Sequence, residues 1–259
     1  MRHVYVVDVL LSTIGLAIER DPTTNAVKAM TRPNATVPAG QPARERVYQY
    51  VREQILRGHF AGGSFIEEEQ ISSAMGVSRT PVREAFHRLE AERFIDLLPR
   101  RGALVRQVTA QELAHLYETR RMIESYAVAM ICRRKIPVPP EMATILDRMD
   151  EIADSDHFAR GELNRLFHFK MVAALGNDVL ADLFRSLDSR QQRVGITALR
   201  ADPHRIPRIQ AEHRALLAAL EAHDEAQALT VLEQHLRPVL GVVSRLPGYA
   251  LGEGREEDG

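Results

Sequence analysis

Residues 76–94, GVSRTPVREAFHRLEAERF, decide how this chain is read. Gly76 supplies a sharp turn, Ser78 is a favourable helix N-cap, and Pro81 is tolerated in a first helical turn. Val82, Ala85, Phe86 and Leu89 recur at i, i+3, i+4 and i+7, which predicts an amphipathic helix with one apolar stripe. The opposite arc carries Arg79, Thr80, Arg83 and His87. Local chemistry leaves two readings of that arc. One is a capped, solvated surface helix. The other is a helix whose N-terminal half enters a DNA major groove, where arginine bonds guanine O6 and N7 while Ser78 and Thr80 reach phosphates.

Working outward, Pro42–Leu56 shows Val47, Val51 and Ile55 on one helical face, with Gly58 as its stop. Glu67–Met75 predicts a short second helix with Ile66, Ile71, Ala74 and Met75 on its apolar side. Beyond the quoted helix, IDLLPRRGALV (residues 95–105) reads as two strands around a turn from Pro99 to Gly102. That hairpin puts Arg100 and Arg101 at its tip, within reach of a phosphate or the minor groove. Three helices and a hairpin predict a winged helix-turn-helix over residues 41–106. From Thr109, which forms a capping box with Glu112, the period is helical throughout. Helices are expected near 109–134, 139–153, 157–175, 177–199, 205–222 and 224–244. The fold class is therefore mainly α: a winged helix-turn-helix followed by an all-α six-helix bundle over residues 109–246. Residues 247–259 form an expected frayed tail.

Composition agrees with this and narrows the class. Of 259 residues, 45% are hydrophobic and 27% charged, which is enough apolar material for a core. Cys132 is the single cysteine, so no intrachain disulfide can form, and a reducing cytoplasm is the expected compartment. Lying in the apolar run AVAMIC, Cys132 is expected to be buried and inert. The apolar stretch at residues 4–18 is interrupted by Asp8 and too short to span a bilayer, so no membrane partner is expected. Residues 1–40 are read as an N-terminal extension, with Met30 a suitable start and residues 1–29 upstream of it. Residues 41–108 carry 11 arginines against nine acidic residues, whereas residues 109–259 carry 19 basic against 23 acidic residues. This mild asymmetry points the first part towards an anionic partner.

Three histidines interrupt apolar stripes in the bundle. His168 accompanies Phe167, Met171, Val172 and Leu175; His213 accompanies Ile209, Leu216, Leu217 and Leu220; His235 accompanies Ala228, Leu232, Val239 and Val242. All three are expected to face inward, where an imidazole needs partners. Asn164 precedes His168 by four residues and shares its helix face. Spacing alone allows three separately hydrogen-bonded histidines or a shared metal ion. Arg120 and Glu124, at i and i+4 near the inward face, form either an internal salt bridge or, through Arg120, a fork onto an effector carboxylate. The direction of Gln191, Gln192 and Arg193 stays open, and Pro238 is expected to bend the last helix after His235.

Residues 44–105 resemble the DNA-binding domain of the GntR family of bacterial regulators, with GVSRTPVREAF, RLEAERFI and PRRGALV in that family's order. The resemblance implies that Ser78, Arg79, Thr80 and Arg83 contact operator DNA and that Arg101 and Gly102 belong to the wing. Two departures stand out: Ala61-Gly62 replaces the usual Pro-Gly, and Glu69 stands where some relatives place an arginine against phosphate. Residues 109–246 resemble the FadR C-terminal (FCD) ligand-binding domain in its VanR-like six-helix form, through LYETRRMIE, NRLFHFKMVAALGN, AEHRALLAALEAHD and LEQHL. That resemblance implies a divalent metal, zinc first with nickel or manganese as alternatives, held by Asn164, His168, His213 and His235. Asn164 replaces the family's aspartate and removes one negative charge from the ligand set. The implied protein is a homodimeric repressor on double-stranded operator DNA, controlled by a small organic acid. Activation fits the sequence equally. Rival readings are a pure metal sensor and a three-histidine metalloenzyme; the absence of a well-placed general base speaks against an enzyme.

Overall fold

The computed structural model describes residues 41–99 and 101–249. The expected extension over residues 1–40, Arg100 at the hairpin tip, and residues 250–259 of the expected tail lie outside the described residues.

Helix α1 (Ala43–Arg57) buries Val47, Val51 and Ile55 and stops at Gly58, whose φ of 79° is left-handed. Strand β1 (Phe65–Ile66) leads into α2 (Glu68–Met75), which ends at left-handed Gly76. Helix α3 (Arg79–Ala91) turns Val82, Ala85, Phe86 and Leu89 inward, as its stripe requires. Strands β2 (Ile95–Leu98) and β3 (Gly102–Val105) form the expected antiparallel hairpin, with Leu98 opposite Gly102. The sheet has a further strand that the pattern did not reveal: β1 pairs antiparallel with β3, giving the order β1-β3-β2. Two residues are too few to show a period of two. This pairing constrains Gly102, because a Cβ there would lie 2.5 Å from the Ile66 carbonyl oxygen and its φ is +84°. Val47, Val51, Ile66, Ile71, Phe86, Leu89 and Phe94 join in one core, which also takes in Ile196 from far along the chain.

The helical part contains α4 (Ala110–Arg134), α5 (Glu141–Asp150), α6 (His157–Ala173), α7 (Asp178–Arg185), α8 (Asp188–Ala201), α9 (Ile206–Glu221), α10 (Glu225–His235) and the short α11 (Leu240–Val243). Thr109 caps α4 by accepting a bond from the Glu112 amide at 3.1 Å, while the Glu112 side chain turns away to pair with Arg193. Only half of the expected capping box therefore forms. All six expected spans are helical, but two are interrupted. The 177–199 span breaks at Ser186 and Leu187, where the Ser186 hydroxyl donates to the Leu183 carbonyl at 2.6 Å and competes with the backbone ladder. The last span stops at His235 rather than bending, since Pro238 cannot donate, and resumes only at Leu240. Cys132 is buried and burial pushes its thiol up, in keeping with an inert core residue.

Helix α8 lies between the two parts and faces both. Ile196 packs into the winged core, Ser189 donates to Glu92 at 3.0 Å, Gln192 bonds Arg52, and Arg200 reaches the Leu56 carbonyl at the end of α1. Its other face, Gln191, Gly195, Ala198 and Leu199, lines a cavity inside the bundle.

Candidate functional site

The cavity is walled by α4, α5, α6, α8, α9 and α10, and the three histidines meet beside it. His168 and His213 are fully buried, and the His235 side chain is 7% exposed. His168 Nε2 lies 3.3 Å from His213 Nε2 and 3.2 Å from His235 Nε2. Helical periodicity turns each ring inward from a different helix, and the packing of α6, α9 and α10 brings the rings together.

The outer ring nitrogens establish which atoms converge. His168 Nδ1 donates to Glu124 Oε2 at 2.7 Å, and His235 Nδ1 donates to Glu212 Oε2 at 3.1 Å. Glu124 in turn accepts from Arg120 Nε at 2.7 Å, and Glu212 from Arg208 Nε at 2.8 Å. Burial opposes the charge on Glu124, but the Arg120 guanidinium and then His168 outweigh it and hold the carboxyl at about 2. Glu212 is likewise pulled below the ordinary carboxylate range, against burial, by its bonds to His235 and Arg208. Burial pushes His168 down to about 4 despite Glu124, and burial, then His235 and His168, hold His213 well below 6.5. With Nδ1 of His168 and His235 donating to carboxylates, both Nε2 atoms present lone pairs to one another. When both rings are neutral, two lone pairs meet across that 3.2 Å contact, an arrangement suited to ligating a cation.

The geometry fits a transition metal. Nitrogens bound tetrahedrally at 2.0–2.1 Å from a shared zinc would stand about 3.3–3.4 Å apart, close to the distances found. Asn164, expected as the fourth ligand, lines the same cavity with its amide unpaired among the described residues. Three neutral imidazoles and an amide leave the charge of a divalent ion uncompensated in the ligand set.

Around this point the cavity is rich in donors that meet no partner among the described residues. Arg120 is 5% exposed and forms the internal salt bridge its spacing allowed: Nε binds Glu124, while Nη2 is buried without a partner among the described residues. Gln191 is 6% exposed with both amide atoms unpartnered. Arg160 donates Nη2 to the Ile152 carbonyl at 2.8 Å but leaves Nε unpaired. Each unpaired buried group costs roughly 1–3 kcal/mol, which a bound oxyanion would recover. The space itself is small, about 50 Å³. Of the residues whose direction the sequence left open, only Gln191 enters it; Gln192 turns to Arg52 and Glu162, and Arg193 to Glu112. Glu212, Arg160 and Tyr117 also belong to the site, and sequence reasoning missed them.

At the other end, Ser78 at the N-cap and Arg79, Thr80, Arg83 and His87 on the first three turns of α3 are all exposed. Ser78 occupies the N-cap position, yet its side chain makes no capping bond and stays available. Arg79, Arg83, Arg101 and Gly102 line one groove between α3 and the wing. Gly102 contributes there through its backbone turn.

This combination defines a class, a winged helix-turn-helix head joined to a helical ligand domain, and comparison with known proteins gives its family. Residues 43–105 match the bacterial regulatory proteins of the gntR family, and residues 115–238 match the FCD domain. The chain belongs to the GntR family and is a DNA-binding transcriptional regulator, not an enzyme. It is 35% identical over 135 residues to the Nta operon transcriptional regulator of Aminobacter aminovorans, covering 51% of this chain and 63% of that protein. To the gluconate operon transcriptional repressor of Bacillus subtilis (strain 168) it is 26% identical over 209 residues, covering 78% of this chain and 85% of that one. A solved GntR regulator from Rhodococcus sp. RHA1 superposes with a TM-score of 0.62 at 28% identity, covering 74% of this chain and 93% of that chain. Among the described residues, no helix is long and apolar enough to cross a membrane.

Proposed function

We propose that this regulator represses transcription from a two-fold operator and releases it when a small carboxylate binds beside a divalent metal in the helical domain. The observation that carries this reading is the convergence of three Nε2 atoms on one point, beside the unpaired Arg120 Nη2 and Gln191 amide. His168, His213 and His235 would hold the ion, zinc first, with Asn164 as a weak fourth ligand. The ion would act as a Lewis acid anchoring the effector carboxylate. Arg120 and Gln191 would receive its other oxygens.

Helix α8 supports a route from that site to the head. A cavity of about 50 Å³ holds roughly four water molecules, so an organic acid that fills it would press on the lining side chains. Gln191, Gly195, Ala198 and Leu199 line the cavity on one face of α8, while Ile196 and Arg200 grip the head from the other. An effector that binds one placement of α8 better than another shifts the head with it. In a homodimer a shift of a few ångströms breaks simultaneous fit to two half-sites. At the operator, Arg79 and Arg83 would read base edges, Ser78 and Thr80 would meet phosphates, and Arg100 and Arg101 would carry the wing contact. The operator places this action in the cytoplasm.

The test is metal content, measured on protein purified without a metal-affinity tag, followed by operator binding with added small carboxylates. Near-stoichiometric metal in the wild type and little in His213→Ala is expected. Arg120→Ala should keep fold and operator binding but lose the carboxylate response. A wild type that stays metal-free when metal is supplied, yet answers a carboxylate, would replace this reading with direct binding in a hydrogen-bonding pocket. Response to metal alone would favour a metal sensor.

A further inference from the structure

The arginines on the exposed arc of α3 are held by carboxylates of α2. Arg79 Nε donates to Glu69 Oε2 at 2.9 Å and its Nη2 reaches the same oxygen; Arg83 Nε donates to Glu68 Oε2 at 2.8 Å. The arginine side chains are 62% and 61% exposed, and Glu69 is 61% exposed, so these pairs stand at the surface that DNA would approach. Glu67 and Glu68 also line the groove shared by Arg79, Arg83 and Arg101.

Two consequences follow from where the carboxylates attach. For Arg83, engaging Nε leaves both terminal nitrogens without a partner among the described residues, and that is the end that forks onto guanine O6 and N7. For Arg79, the bonds from Nε and Nη2 leave Nη1 free and fix the plane of the guanidinium. A base edge carries no net charge, so Glu68 and Glu69 cost little when an arginine meets guanine. A phosphate drawn to the same arginine meets a like charge a few ångströms away. Random-sequence binding rests almost wholly on phosphates, whereas operator binding adds base contacts.

We propose that Glu68 and Glu69 are specificity-determining residues, which orient Arg79 and Arg83 for base edges and weaken binding to DNA of arbitrary sequence. The proposal rests on the reading that α3 enters the major groove. The experiment uses the full chain with two short duplexes, one of random sequence and one selected by the wild type from a random pool. Affinities are measured across a series of salt concentrations. Glu69→Gln should strengthen random-duplex binding about fivefold at low salt, from loss of one like charge a few ångströms across water. Binding to the selected duplex should change less, so the ratio between the two falls. Glu53→Gln, which removes a carboxylate from the ion pair with Arg57 on α1, should leave both affinities in place. Equal gains on both duplexes, or no change on the random one, would overturn the proposal. Arg79→Ala separates it from its premise: undiminished binding of the selected duplex by that variant means that α3 does not read the operator through Arg79.

Discussion

At the scale of single residues the three-histidine site shows why spacing was informative and incomplete. His168, His213 and His235 were legible because each interrupts an apolar stripe, and a polar ring at such a position has to find a partner inside. Glu212 was not legible. It neighbours His213 in sequence but serves His235 on another helix, a pairing made only by the packing of α9 against α10. Glu212→Gln keeps the shape and removes the charge that raises the basicity of the imidazole. It should weaken metal binding about 10–100-fold with the fold unchanged, as competition with a chromophoric chelator would show. The depressed histidines also set a pH dependence. His168 stays neutral in the fold down to about 4, whereas the unfolded chain takes up that proton near 6.5, so the unfolded state binds more protons between those values and stability rises with pH. Urea melts of metal-free protein should lose up to about 3 kcal/mol between pH 7 and pH 4 from this residue. The loss attributable to Glu124 appears only below pH 4.5, since its folded value is lower still.

At the scale of elements, α8 connects site and head, and its role depends on having two distinct faces. The 177–199 pattern is continuous because apolar and polar residues keep helical spacing through Ser186; the break before α8 at Asp188 coincides with a side-chain hydrogen bond that has no periodic signature. Ile196 is 1% exposed and belongs to the winged core although it lies in the helical domain. Ile196→Ala should cost about 2–4 kcal/mol by leaving a cavity at this junction. It should also blunt the response of operator binding to effector, measured by fluorescence anisotropy of a labelled duplex; an unchanged response would remove α8 from the route. Gly161 on α6 gives a complementary probe, because an added Cβ would lie 2.7 Å from Ile196 Cγ1. Gly161→Ala should press on Ile196 from the cavity side and lower the thermal midpoint, at a cost of about 1–3 kcal/mol.

For the whole molecule, the proposed two-fold operator would need two heads, and the helical domain exposes apolar side chains that a second copy could cover. Met122 and Tyr126 stand one turn apart on α4 at 68% and 49% exposure, and Val179 and Leu183 one turn apart on α7 at 81% and 51%. On the proposed homodimer, Leu183→Lys and Tyr126→Lys should shift the chain towards monomer in light scattering and weaken operator binding far more than binding to a half-site. The sequence by itself determined the two-part architecture, because hydrophobic period, turn residues and caps are local quantities, and it determined which face of α3 is exposed. It also marked three histidines as inward. Only the tertiary structure decided that their Nε2 atoms converge, that Glu124 and Glu212 orient two of them, and that Arg120 keeps a free nitrogen in the cavity. It alone set Glu68 and Glu69 against the arginines of α3. These are distances between residues far apart in the chain or on different helices, and a helical repeat specifies a direction on one helix without specifying which side chain of another it meets.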